Sequence, residues 1–177
     1  MKLTLVIVTS LDGRTTQNEN MDQSVNWASR EDQDFFYSEV INKASLIIMG
    51  SNTYEHAKHL MQHRKGCKRI ITTRNQKKYE NEKIEGLLEF TNESAKDLIT
   101  RLESEGYKEG FHLGGSQSAA LFFQEKLITN IIQTLEPKLF GTGKGIIAGN
   151  FNISLQLETV TQLNEKGTLL LKYEVLK

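Results

Sequence analysis

The chain has 177 residues, 38% hydrophobic and 25% charged, with one proline, one cysteine and a formal net charge of zero. That length suits one domain over residues 1–177, able to bury most of its apolar surface without staples. The apolar content argues against disorder and the charge balance against a nucleic-acid partner. Cys67, standing alone, excludes an internal disulfide and gives no basis for a cysteine zinc site, so no metal is expected.

The opening run Met1-Lys2-Leu3-Thr4-Leu5-Val6-Ile7-Val8 is too short to cross a membrane and lacks a small-residue cleavage site. It reads as a buried strand over 3–8 in a cytoplasmic protein with no membrane partner. Ser10-Leu11-Asp12-Gly13-Arg14 closes it. Asp-Gly is a turn signal by itself, and Asp12 equally suits the wall of a ligand crevice.

Ser29 caps a predicted helix to about residue 42, with Phe36, Val40 and Ile41 on one face. Glu31 and Asp32 fall in its first turn, where the helix dipole is a sufficient reason for an acid. Asp32 also admits a chemical reading. A carboxylate beside Trp27 on the floor of an apolar cleft can hydrogen-bond an amino-pyrimidine edge, with burial raising its pKa and the helix N-terminus lowering it.

A second strand over 45–49 runs into Met49-Gly50-Ser51-Asn52-Thr53-Tyr54-Glu55, and a helix opens at Ser51 or Asn52 and runs to about 61. Free backbone N–H groups at such a turn suit an anion; an ordinary strand-to-helix turn has the same sequence. The basic residues Arg64, Lys65, Lys68 and Arg69 follow, enough positive charge to meet one anionic ligand. A third strand over 69–73 ends in Thr72-Thr73-Arg74-Asn75. Arg74 there is either a solvated loop arginine or a fork for the 2′-phosphate of NADP, with the Thr73 hydroxyl beside it.

A strand over 87–91 precedes a helix from Asn92 or Ser94 to Glu105, with Leu98 and Leu102 on one face. A strand over 110–113 leads into His112-Leu113-Gly114-Gly115-Ser116-Gln117. The paired glycines permit a tight turn or a close backbone approach to a pyrophosphate, although they depart from the Gly-x-Gly-x-x-Gly fingerprint. His112 reads as a packed or hydrogen-bonded residue. Ser116 opens a short helix to 123. Strands over 128–135, 153–160 and 168–176 complete the chain, the last two as an antiparallel hairpin around 163–167. Between them, Glu136-Pro137-Lys138-Leu139-Phe140-Gly141-Thr142-Gly143-Lys144-Gly145 lacks the phosphate-loop order and reads as a glycine-rich connection. The alternation predicts an α/β fold, its central sheet mixed but mostly parallel, with a C-terminal antiparallel hairpin.

Taken in order, these segments resemble one family. Ser10-Leu11-Asp12-Gly13, Trp27 ahead of an acidic helix start, Gly50-x-x-Thr53, Thr73-Arg74, Gly114-Gly115 and Pro137-Lys138-Leu139-Phe140-Gly141-Thr142-Gly143 are similar to the C-terminal reductase domain of the bifunctional riboflavin-biosynthesis deaminase/reductase, itself similar to dihydrofolate reductase. Trp27, Asp32 and Phe35-Phe36 resemble the substrate helix of dihydrofolate reductase. The resemblance implies a three-layer dihydrofolate-reductase-like sandwich, NADPH as cofactor, a small-molecule substrate and a homodimer. It implies that Gly50 and Thr53 hold the cofactor, that Thr73 and Arg74 meet its 2′-phosphate, and that Gly114, Gly115 and Ser116 cradle its pyrophosphate. It places Asp12, Trp27 and Asp32 at the substrate, with Asp32, as the catalytic group, or a water delivering the proton. The implied reaction is that of 5-amino-6-(5-phosphoribosylamino)uracil reductase, with dihydrofolate reduction and non-catalytic NADPH binding as alternatives. With no His-x-Glu and no Cys-x-x-Cys, deamination is not expected. Where the riboflavin branch tends to carry an Asp-Asn-Pro-x-Leu-Thr-like stretch, this chain has Glu55-His56-Ala57-Lys58-His59.

Overall fold

In a computed structural model, which describes residues 1–18 and 26–176, the short apolar runs assemble into a single eight-stranded sheet. The strands are β1 (Lys2–Ser10), β2 (Leu46–Gly50), β3 (Lys68–Thr72), β4 (Leu88–Thr91), β5 (Glu109–His112), β6 (Asn130–Glu136), β7 (Leu155–Gln162) and β8 (Leu169–Val175). The helices are α1 (Arg30–Phe35), α2 (Ser51–Ala57), α3 (Ala95–Ser104) and α4 (Ser116–Gln124). The sheet order is β4-β3-β2-β5-β1-β6-β8-β7. The strands from β4 to β6 in that order are all parallel; β8 runs antiparallel to β6, and β7 antiparallel to β8.

The apolar run of β2 shows why the early strands lack alternation. Leu46 and Ile48 join a core with Leu98 and Leu102 of α3 and Ala119 and Phe122 of α4. Ile47 and Met49 face the other way, into a core with Tyr54 of α2, Tyr79 and Phe90. Side chains alternate across a strand, so a strand covered on both faces must be apolar at every position. The result is three layers: α3 and α4, the sheet, and α2 with the segment following α1. β7, the outermost strand of the hairpin, is exposed at all eight positions.

Caps fall where their chemistry predicts. The Ser29 side chain accepts from the Asp32 N–H and the Ser94 side chain from the Asp97 N–H. The expected helix from Ser29 to about 42 is interrupted, however. It is α-helical only to Phe35 and π-helical over Phe36–Ile41, with the Asn42 N–H donating to the Tyr37 carbonyl at 3.0 Å. A guanidinium distant in sequence secures this widened end: Arg64 donates to the carbonyls of Ile41 and Ala44 at 3.2 and 2.6 Å. Residues 51–61 likewise split into α2 and a 3-10 turn, Lys58–Leu60. Among the described residues no helix is long and apolar enough to cross a membrane.

Six parallel strands discharge their carboxyl ends on the same edge. Ser10, Gly50, Thr72, Thr91, His112 and Glu136 therefore end their strands on one side of the sheet. In open α/β sheets that edge is where ligands bind.

Candidate functional site

The edge divides into two neighbourhoods. The first lies at the ends of β2, β3 and β5. Gly114 and Gly115 take φ of +70° and +83°, the left-handed region that favours glycine. Gly115 is the N-cap of α4 and Gly50 that of α2, so neither helix start is covered by a side chain of its own cap. A Cβ on Gly115 would sit 2.8 Å from the Thr53 Oγ1, and one on Gly50 would sit 3.0 Å from the Ser118 Cβ. The glycines thus let α2 and α4 begin in contact, with their first N–H groups at the crevice.

Beneath them runs a chain of hydrogen bonds whose direction can be worked out. The Thr72 hydroxyl donates to the Met49 carbonyl at 3.4 Å. Its oxygen therefore accepts from Ser118 Oγ at 3.1 Å, and Ser118 in turn accepts from His112 Nε2 at 3.0 Å. His112 is then the Nε2–H tautomer, leaving Nδ1 a bare acceptor, and that atom is buried without a partner. Burial pushes the imidazole pKa down to about 3, so the ring is neutral. His112 is a packed, hydrogen-bonded support, as its sequence context indicates.

Thr73 and Arg74 follow the end of β3. The Thr73 N–H donates to Thr91 at 2.8 Å and its hydroxyl accepts from the Asn75 N–H at 3.1 Å. Arg74 is exposed and makes no hydrogen bond or ion pair among the described residues. Ser116 opens α4, and its carbonyl accepts from the Ala148 N–H at 3.1 Å. Gly50, Thr53, Thr73, Arg74, Gly114, Gly115 and Ser116 accordingly fall at neighbouring strand ends of one sheet edge.

The second neighbourhood lies at the end of β6, against α1. Asp32, 8% exposed, has its carboxyl pKa pushed from 3.8 up to about 6; burial dominates, a hydrogen bond with Thr134 opposes, and the charge of Glu136 adds. Glu136, the last residue of β6, is 2% exposed. Its Oε1 accepts from the Ser29 N–H at 2.8 Å and its Oε2 from the Thr168 hydroxyl at 2.9 Å. Asn164, in the β7–β8 turn, donates to Thr168 Oγ1 at 3.0 Å and to Glu31 at 3.1 Å. A cavity of about 350 Å³ opens here, lined among others by Ser29, Glu136, Lys138, Asn164, Lys166 and Thr168.

Trp27 is 8% exposed and packs edge-on against Phe140 with ring centroids 4.9 Å apart. Its carbonyl accepts from Lys138 Nζ, while its indole Nε1–H is buried with no acceptor among the described residues. Asp12 has a different setting from the free crevice carboxylate its position suggests. Its oxygens accept from the Ser10 hydroxyl at 2.6 Å, the Phe140 N–H at 3.1 Å and the Gly141 N–H at 2.7 Å. These bonds, the Ser10 hydroxyl foremost, bring its pKa down to about 2. Asp12 anchors the Phe140-Gly141 turn to the end of β1.

Reading the residues singly misses Thr134, Glu136 and Thr168. The signal for two of them is present: 134 and 136 lie two apart on a strand and so share the face turned to α1. Thr168 is joined to them only by the fold of the hairpin.

Residues 1–169 match the family model described as the RibD C-terminal domain. The uncharacterized protein YwjB of Bacillus subtilis (strain 168) is 28% identical over 173 residues, covering 94% of this chain and 90% of that protein. The structure of a putative riboflavin biosynthesis protein from Shewanella sp. PV-4 matches with a TM-score of 0.78 at 17% identity, covering 100% of both chains. A dihydrofolate reductase from Enterococcus faecalis, complexed with NADP(H) and RAB-propyl, matches with a TM-score of 0.66 at 14% identity, over 99% of this chain and 97% of that one. The fold is thus of the dihydrofolate-reductase type.

Proposed function

The chain belongs to the RibD C-terminal domain family, and on that premise we propose that it is an NADPH-dependent reductase passing hydride to a C=N or C=O carbon of a ribosylaminopyrimidine or pterin-like substrate. The observation that carries this reading is the fit of the first neighbourhood to a phosphorylated dinucleotide. Two left-handed glycines, a cradle that a Cβ would fill and an unpaired arginine supply backbone donors and a guanidinium, with no acid among the residues assigned to it.

NADPH, when bound, supplies hydride from its nicotinamide C4. Everything else falls to the chain. Gly50 and Thr53 face the cofactor between β2 and α2. The backbone N–H groups of Gly114, Gly115 and Ser116 surround the pyrophosphate at the start of α4. Arg74 grips the 2′-phosphate and Thr73 hydrogen-bonds it, which makes the pocket prefer NADPH to NADH. Asp32, with a pKa pushed up to about 6, holds a proton in a fraction of molecules near neutral pH and delivers it to the nitrogen or oxygen of the bond whose carbon takes the hydride. Trp27 closes the apolar wall and offers its free indole N–H to the substrate.

Lys138 and Lys166 beside the cavity favour a substrate with an anionic arm, which a phosphoribosylaminopyrimidine carries as its phosphate and dihydrofolate as its glutamate carboxylates. The family reading also carries a homodimer, which a solution mass measurement tests. The discriminating assay follows loss of reduced-nicotinamide absorbance with the riboflavin-pathway intermediate and with dihydrofolate. Turnover of the intermediate supports the riboflavin-type reaction. Turnover of dihydrofolate alone selects the dihydrofolate reductase reading, and NADPH binding without oxidation of either reduces the protein to a nucleotide-binding module.

A further inference from the structure

Two buried acids share the end of β6, and the hydrogen bonds around them decide which one carries a proton. Asp32 and Glu136 are both shielded from water, and the charge of Glu136 reaches Asp32. Like charges buried near each other resist joint ionisation, so such a pair retains a proton that a lone surface acid would lose. The chain that settles its position begins in the hairpin turn. The Asn164 amide has one orientation that suits all its neighbours. Its Oδ1 accepts from the Thr168 backbone N–H at 3.1 Å, a group that can only donate. Its Nδ2 hydrogens therefore face Thr168 Oγ1 at 3.0 Å and the Glu31 carboxylate at 3.1 Å.

Thr168 Oγ1 receives a hydrogen from Asn164 and sends its own to Glu136 Oε2 at 2.9 Å. The other oxygen, Oε1, faces the Ser29 N–H at 2.8 Å. Both oxygens of Glu136 thus face hydrogens. A proton on Oε1 would point at another hydrogen, and one on Oε2 would turn the Thr168 hydrogen away from its acceptor. Asp32 is placed differently. Its carboxyl meets the Thr134 hydroxyl, which can donate or accept and so suits either charge state. The charged groups nearby are engaged elsewhere: Glu31 with Asn164, Lys138 with the Trp27 carbonyl, and Arg30 with Asp34 at 3.7 Å. Lys166 stands exposed on the turn, at the rim of the cavity that Glu136, Asn164 and Thr168 also line. No ion pair reaches Asp32 among the described residues.

We propose that Thr168 and Asn164 are positioning residues for proton delivery: they hold Glu136 as the charged member of the acid pair, so that the pair's proton resides on Asp32. The role rests on the reductase reading, in which Asp32 hands that proton to the substrate. The upward push on Asp32 to about 6, burial foremost and the Glu136 charge adding to it, agrees with this division.

The test follows the carboxyl carbons of Asp32 and Glu136 by NMR in the full chain as pH falls. In the wild type Asp32 takes up its proton before Glu136. Thr168→Val nearly keeps the shape and removes the hydrogen aimed at Oε2. Glu136 then competes for the proton, and the Asp32 midpoint moves toward acid by on the order of one pH unit. Above both midpoints kcat falls by up to roughly tenfold while KM holds. Thr168→Ser returns the hydroxyl and with it the wild-type midpoint. Asn164→Ala, at a half-buried position, moves the midpoint the same way by less, and serves where Thr168→Val does not fold. A purely structural role lowers Tm without moving the midpoint. An Asp32 midpoint that neither Thr168→Val nor Asn164→Ala moves, or that Thr168→Ser moves equally, overturns the proposal. The titration needs no turnover, so a chain that reduces neither substrate yet shows the shift keeps the proton assignment and loses the reductase reading.

Discussion

The two halves of the carboxyl edge solve opposite electrostatic problems with the same sheet. At the ends of β2, β3 and β5 the chain presents glycine backbone, hydroxyls and an imidazole that burial keeps neutral. At the end of β6 it buries two acids, Asp32 and Glu136, within reach of each other's charge. A site for a polyanion needs donors with no competing negative charge. A site that must hold a proton near neutrality needs a carboxyl denied water and set beside a like charge. On the proposed reading, the two tasks divide by local dielectric and charge rather than by fold element.

Substitutions on each side put that contrast to the test. Asp32→Asn removes the proposed proton carrier while keeping the shape, and turnover with NADPH falls by a factor on the order of 10² to 10⁴ in steady-state assays, with NADPH affinity nearly unchanged. Gly115→Ala acts on the other half. Its φ of +83° and the 2.8 Å approach to Thr53 leave no room for a methyl group, so NADPH affinity drops by roughly tenfold or more in fluorescence titrations, the strain costing about 1–3 kcal/mol.

A smaller effect reads the acid pair through stability. The Asp32 pKa is raised in the folded chain from 3.8 to about 6, so between those values the folded state binds more protons than the unfolded one. The favourable contribution of the neutral carboxyl is full below pH 3.8 and is lost as pH rises through about 6. Asp32→Asn therefore stabilises the protein at pH 8 relative to pH 4, by on the order of 1–3 kcal/mol in denaturant melts, even as it lowers turnover. The smallest effect is that of Glu136→Gln. Removing the like charge lowers the Asp32 pKa, and the pH at which activity declines moves toward acid by on the order of half a unit. A move toward alkali would mean that Glu136 does not act on Asp32 through its charge.

Much of this was legible in the sequence because it rests on local rules. Eight apolar runs became eight strands, Ser29 and Ser94 became caps, and the glycines at 50, 114 and 115 stand at strand ends. What was not legible depends on contacts between distant segments. The π-helical end of the first helix is held by Arg64, 20 residues beyond Ala44 in sequence. Asp12 reads as a turn or crevice-wall residue, and the fold adds a tie that its own segment does not show, two N–H groups of a loop near residue 140. Glu136 read as the start of a connection, and only the approach of Ser29 and Thr168 makes it a buried acid. Hydrophobic period reports which face is covered; it does not report which polar group will arrive to cover it.

On the proposed reading, the ends of β2, β3 and β5 bind a dinucleotide through its phosphates, with Arg74 on the 2′-phosphate. Equilibrium titration of the wild-type chain and Arg74→Ala with NADPH and with NADH tests it most directly. The account predicts that NADPH binds the wild type more tightly than NADH, and that Arg74→Ala weakens NADPH on the order of 10- to 100-fold while leaving NADH nearly unchanged. Equal loss for both cofactors, or no binding of either by the wild type, would contradict it.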